Sequence, residues 1–150
     1  DYNTENPVKR DKIYNMLKKL LAAGVPVNGV GLQGHWNIND PTEQNLRDAI
    51  DKFSSLGLKV QVTELDVSIY TSRTDTVNMG FTPEREQKQI DLYKMAFNVF
   101  REKKNVITGI TFWNVYDGRS WLNRGNRKVY PLLFDENLKP KKVYWEVVKF

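Results

Sequence analysis

Lys59-Val60-Gln61-Val62-Thr63-Glu64-Leu65-Asp66-Val67 is the stretch on which the fold turns. Residues 59–65 are strand-length, rich in valine, and begin just after Gly57, the stop signal of a helical pattern. That helix is expected to start at Asp40-Pro41-Thr42-Glu43, with Asp40 as cap and Glu43 completing a capping box, and to bury Leu46, Ala49, Ile50 and Phe53. Downstream, Thr82-Pro83 opens a second helix, with Glu84 and Glu86 in its first turn and Ile90, Tyr93, Phe97 and Phe100 on one face. A strand bracketed by helices is a βα unit, and helical crossovers imply parallel strands.

The same pattern extends outward. Residues 27–32 and 106–113 read as further short strands. Asn6-Pro7 starts an earlier helix that carries Ile13, Met16, Leu17, Leu20 and Leu21 at helical spacing and stops at Gly24. Asp1-Tyr2-Asn3 runs directly into that cap, which hints at a fourth strand whose beginning precedes the chain. Val143, Tyr144, Val147 and Val148 mark a closing helix. The fold class expected is α/β, one unit over residues 1–150. Segments 66–80 and 114–130 exceed the ~12 to 15 residues usual for a connection, and both follow strands. In βα barrels the loops after strands form the reactive face, so function belongs near residues 33–36, 64–68 and 113–121.

Composition narrows the chemistry. With 150 residues, 40% apolar and 12% aromatic, the chain has material for a core. It contains no cysteine, which removes disulfides, thiolate metal sites and cysteine nucleophiles. The net charge of +5 is spread among acidic residues without a basic block, so nucleic acid is not an expected partner. No apolar run of ~18 residues exists to span a membrane, and the start has neither the basic nor the apolar region of a signal peptide. One histidine and no paired-ligand spacing argue against a metal, and no glycine-rich loop follows a strand, so no cofactor is expected.

At the strand ends, Gln33 and His35 alternate on one strand and Glu64 and Asp66 on the next, so four polar side chains converge on one mouth. Glu64 is read as continuing the inward series Val60, Val62. A carboxylate buried there without purpose is costly, and an imidazole held between Glu64 and Asp66 would keep Glu64 ionised, as a nucleophile requires. The plainer readings are a satisfied structural histidine for His35 and core packing for Trp113. Trp121 sits in a polar loop beside Arg119 and Ser120, and indoles beside carboxylates suit the flat C–H faces of sugars.

The chain resembles family 10 glycoside hydrolases, the endo-β-1,4-xylanases. The resemblance lies in Gly-Leu-Gln-Gly-His-Trp at 31–36, Val-Thr-Glu-Leu-Asp-Val at 62–67, Thr-Phe-Trp-Asn-Val-Tyr-Asp-Gly-Arg-Ser-Trp at 111–121 and Pro-Leu-Leu-Phe-Asp-Glu-Asn-Leu-Lys-Pro at 131–140. It implies the C-terminal half of a TIM (β/α)8 barrel, strands equivalent to the fifth to eighth. It also implies Glu64 as nucleophile, His35 and Asp66 as its supporting network, and Gln33, Trp113 and Trp121 as substrate-binding residues. Asn114 stands where the family more usually has glycine. The family's Asn-Glu acid/base motif is absent from these residues, so the resemblance implies no hydrolysis by the chain alone. The implied partners are xylan or xylo-oligosaccharides, and either a complementary N-terminal half or a second copy that closes the barrel. A non-catalytic, self-assembling half barrel with residual xylan binding is the alternative. Secretion is implied by the resemblance only.

Overall fold

The computed structural model describes residues 3–72 and 80–149. Its elements run α1 (Pro7–Ala22), β1 (Gly29–Leu32), β2 (His35–Asn37), α2 (Glu43–Ser54), β3 (Lys59–Ser68), α3 (Pro83–Glu102), β4 (Ile107–Phe112), a 3-10 turn (Asp117–Arg119) and α4 (Lys142–Val147). Every strand pairing is parallel: β1 and β2 follow one another along one side of β3, and β4 lies on the other. The helices lie side by side in chain order on one face of this sheet.

Caps and apolar spacing explain the helices. Asn6 caps α1 by accepting from the Val8 and Lys9 amides, and Thr82 caps α3 by accepting from the Arg85 amide. In α2 the cap is Thr42, whose hydroxyl accepts from Asn45 N–H, rather than the expected Asp40. Asp40 instead closes a turn in which its carbonyl accepts from Asn37 N–H at 3.2 Å. Leu46, Ala49, Ile50 and Phe53 of α2 have no exposed surface and meet Val60, Val62, Leu65 and Val67 in the main core. Tyr93 and Phe100 of α3 are buried in it, with Ile90 and Phe97 packed alongside. On α1 only Leu17 is buried, whereas Met16 is 52% and Leu20 36% exposed. The expected five-residue apolar face of α1 is therefore only partly covered, because among the described helices α2 is the main one it packs on.

β3 departs from simple alternation. Leu32 pairs with Val62 and His35 with Asp66, so Gln33 and Gly34 face three residues, Thr63, Glu64 and Leu65. This bulge switches the strand's phase. Val60, Val62, Leu65 and Val67 all point to the helices, which corrects the reading of Glu64 as continuing the Val60, Val62 series. Glu64 and Asp66 turn to the other face because the extra residue sits between Val62 and Leu65. β3 also runs three residues beyond the expected end, to Ser68. Of the fourth strand hinted at residues 1–3, the first two lie outside the described residues, and Asn3 is not in a strand. Residues 73–79 of the expected 66–80 loop lie outside them as well.

The face of the sheet away from the helices is open, with Gly29, Gly31, Lys59, Gln61, Thr108 and Thr111 exposed. Parallel sheets are normally covered on both faces. A parallel sheet with helices on one side and an open polar face on the other is the half of a (β/α)8 barrel.

Candidate active site

β2 and the end of β3 present the site. Gly34, at φ +81°, lets the chain turn between β1 and β2, and a Cβ there would meet Val62 Cγ1 at 3.0 Å. The turn is fixed by Glu64 N–H donating to Gln33 O at 2.8 Å and Asp66 N–H donating to Gly34 O at 3.1 Å. β2 is held from behind by Asn3, whose Nδ2 donates to His35 O at 2.9 Å, and by Trp36, whose Nε1 donates to buried Glu5 at 3.1 Å. Burial pushes the Glu5 carboxyl up to about 7, partly offset by hydrogen bonds from the backbone and from Trp36.

The single histidine stands between the two carboxylates. Its Nε2 lies 3.0 Å from Glu64 Oε2 and its Nδ1 3.0 Å from Asp66 Oδ1. The second approach is a charge contact rather than an aligned hydrogen bond, since neither atom meets hydrogen-bond geometry there. Burial alone would lower the imidazole pKa, but Asp66 and then Glu64 outweigh it and hold the ring above its usual 6.5. The imidazolium form places an N–H toward each carboxylate. Gln33 Nε2 reaches Glu64 Oε1 at a long 3.5 Å. Trp121 Nε1 donates to Asp66 Oδ2 at 2.7 Å, with its ring centroid 4.9 Å from that of His35. Trp113 meets His35 edge-on at 6.3 Å. Asp66 is 1% exposed and Glu64 23%, while Trp113 and Trp121 keep 46% and 37% of their surface open. All six residues singled out from the sequence are thus in one place, with Glu64 the carboxylate that remains reachable.

Residues the sequence reading passed over hold the Trp121 loop. Lys141 is 7% exposed, and its Nζ donates to Tyr130 O and Leu132 O, each at 2.8 Å, and lies 3.0 Å from Asp117 Oδ2. Asp117 is 2% exposed, and its Oδ1 accepts from Leu132 N–H at 2.8 Å. Burial raises the Asp117 pKa against the pull of Lys141, and burial lowers that of Lys141 against the pull of Asp117. Buried Gln89 of α3 donates to both Val67 O and Tyr130 O, which ties the end of β3 to the returning loop. At the loop's start, Asn114 adopts φ +144°, a conformation that favours glycine, with its Oδ1 accepting from Val115 N–H and its Nδ2 donating to Arg119 O. Among the described residues no cluster of His, Cys, Asp or Glu is arranged to hold a metal, and no helix is long and apolar enough to cross a membrane.

The family model for glycosyl hydrolase family 10 matches residues 1–150. The chain belongs to glycosyl hydrolase family 10. A β-1,4-xylanase of Dictyoglomus thermophilum is 50% identical over 100% of the chain and 44% of the relative. Endo-1,4-β-xylanase B of Paenibacillus barcinonensis is 43% identical over 99% of the chain and 46% of the relative. The chain therefore spans less than half the length of either family 10 relative. The native crystal structure of CbXyn10B superposes with a TM-score of 0.94 at 42% identity, over 100% of the chain and 47% of CbXyn10B. A mutant crystallised with xylotriose gives the same score, identity and coverage. This family 10 chain is the C-terminal half of the barrel, as the sequence resemblance implied.

Proposed function

We propose that this chain carries the nucleophile of a retaining endo-1,4-β-xylanase, and that Glu64 is that nucleophile. The observation behind this is the imidazole of His35 lying 3.0 Å from Glu64 and 3.0 Å from Asp66 in a cleft walled by two half-exposed tryptophans. Glu64 Oε would attack the anomeric carbon of a xylosyl unit, forming a glycosyl ester as the glycosidic C–O bond breaks. The departing oxygen takes a proton from a second carboxylic acid, and water then cleaves the ester with that second group as base. The imidazole against Glu64 Oε2 holds that oxygen in place, and Asp66 keeps the imidazole charged and oriented. Trp113 and Trp121 offer the platforms on which sugar rings stack, and Gln33 lies within reach of the sugar bound at Glu64.

The second carboxylic acid must face Glu64 across the bond, roughly 5 to 5.5 Å away. Asp66 does not qualify. It is buried, follows Glu64 on the same strand, and has both oxygens engaged by His35 and Trp121. The acid/base therefore comes from outside these residues, and the complementary half of the barrel is the partner that supplies it. An assay with an aryl β-xylobioside tests this. The chain alone is expected to give little or no hydrolysis, and activity is expected on mixing with the complementary half and to vanish with Glu64→Ala. Turnover by the isolated chain at ordinary enzyme rates would overturn the assignment.

A second reading, a self-assembling half barrel closed by another copy with residual xylan binding, is favoured by the open polar face of the sheet and by exposed Val8 and Met16 on α1. Light scattering separates the readings: a stable dimer that binds xylotriose and refuses the complementary half supports the second.

A further inference from the structure

We propose that Arg124 and Arg127 form a subsite for a carboxylate carried by the sugar ligand, as on a uronic acid branch of a xylan chain. The inference rests on the cleft reading above and adds to it the charge of what the cleft accepts.

Beyond His35, Asp66 and Trp121 the cleft opens into a cavity of about 290 Å3, whose far wall includes Arg124 and Arg127. That is near the lower end of the ~300–1,000 Å3 of small-molecule sites, room for about one sugar ring. The two arginines face one another across a tight turn: Arg124 N–H donates to Arg127 O at 3.1 Å and Arg127 N–H to Arg124 O at 2.8 Å. Gly125, at φ +52°, makes that turn possible. Partners that exchange both backbone hydrogen bonds carry their side chains on the same face. Like charges directly opposite one another on such a pair repel, an arrangement an anion between them would relieve.

Arg127 is already fixed in place. Its guanidinium carbon lies 4.0 Å from the centroid of the buried Tyr70 ring, and its Nη2 donates to Ser72 O at 3.1 Å. Its Nε is buried with no acceptor among the described residues. Among the described residues the carboxylate that lines this cavity is Asp66, whose oxygens face His35 and Trp121 instead. Among the described residues, then, this wall is a pair of cations without a counter-charge. A neutral xylose unit offers two guanidinium groups only hydroxyl acceptors, whereas a carboxylate matches both their charge and their forked donors. Because Trp121 belongs to both the cleft and this cavity, a chain stacked on the indole would carry a branch within reach of the arginines.

Both arginines and the rest of the described lining belong to this chain, so the chain itself serves for the test. Titration calorimetry compares unbranched xylotriose with xylotriose bearing one glucuronic acid branch, in low salt and in 0.5 M salt. The acidic ligand is expected to bind about five- to tenfold more tightly in low salt, with most of that advantage screened at high salt. Arg124→Gln, at an exposed position, should cut the advantage severalfold, and Arg124→Glu should abolish it, both leaving the affinity for plain xylotriose unchanged. Equal binding of the two ligands by the unaltered chain, or an advantage that survives Arg124→Glu, overturns the subsite while leaving the cleft reading intact. If neither ligand binds, the cleft reading and the subsite fall together.

Discussion

Lys141→Met removes the ammonium from the clasp that holds the Trp121 loop and leaves the Asp117 carboxylate, 2% exposed, with no cation. Breaking a buried pair from one side typically costs about 3–5 kcal/mol, because the surviving charge is uncompensated. With a urea slope of about 2 kcal/mol/M, the midpoint should fall by about 1.5–2.5 M, read by tryptophan fluorescence. Asp117→Asn combined with Lys141→Met keeps an acceptor for Leu132 N–H but removes the stranded charge, and should recover about half of the loss or more. The pH dependence follows from the sign of the Asp117 shift. Burial holds its folded pKa above the unfolded 3.8, so its charge opposes folding at neutral pH and that penalty disappears as pH falls below the unfolded value. The deficit of Lys141→Met should therefore shrink on acidification. A midpoint shift under about 0.5 M for the single variant, or a double variant no more stable than it, would refute the clasp, since a buried pair of this kind cannot be broken so cheaply.

Three further outcomes follow from the site. The one histidine gives an unambiguous NMR titration: His35 should titrate above 6.5, and Glu64→Gln or Asp66→Asn should each lower that value by removing a negative neighbour. Because the folded pKa is raised, the stabilisation from His35 is full below 6.5 and is lost as pH rises through the folded value, and an unaltered titration in Asp66→Asn would contradict the contact. At φ +144°, Asn114→Gly should melt at or above the unaltered chain and above Asn114→Ala, which keeps a Cβ and loses the side-chain hydrogen bonds; the reverse order would show that the backbone there is unstrained. Gly34→Ala should cost about 1–3 kcal/mol in a thermal or urea melt, because its backbone is left-handed and its Cβ would press on Val62; a neutral result would mean the β1–β2 turn adapts freely.

The parts of the molecule written in short-range signals were legible. Asn6-Pro7 and Thr82-Pro83 set the starts of α1 and α3, and the apolar spacing of Leu46, Ala49, Ile50 and Phe53 gave the buried face of α2. The parts that depend on pairing were not. The bulge opposite Gln33 and Gly34 has no local signature, yet it decides that Glu64 leaves the Val60, Val62 face. Met16 and Leu20 have the spacing of buried residues, yet they stay exposed because α1 has α2 as its main described neighbour. Lys141 and Lys142 are equivalent on paper, but the first is 7% exposed inside a ring of carbonyls and the second 74% exposed, paired with Glu86. The convergence of Gln33, His35, Glu64 and Asp66 was visible because parallel neighbouring strands bring their C-terminal ends to one edge.

The most direct test uses a 2-fluoro-substituted aryl β-xylobioside on the chain assembled with its complementary half, followed by peptide mapping by mass spectrometry. A glycosyl ester on Glu64, absent in Glu64→Ala, is the predicted result. A barrel that turns over substrate while the label lands on another carboxylate would contradict the account.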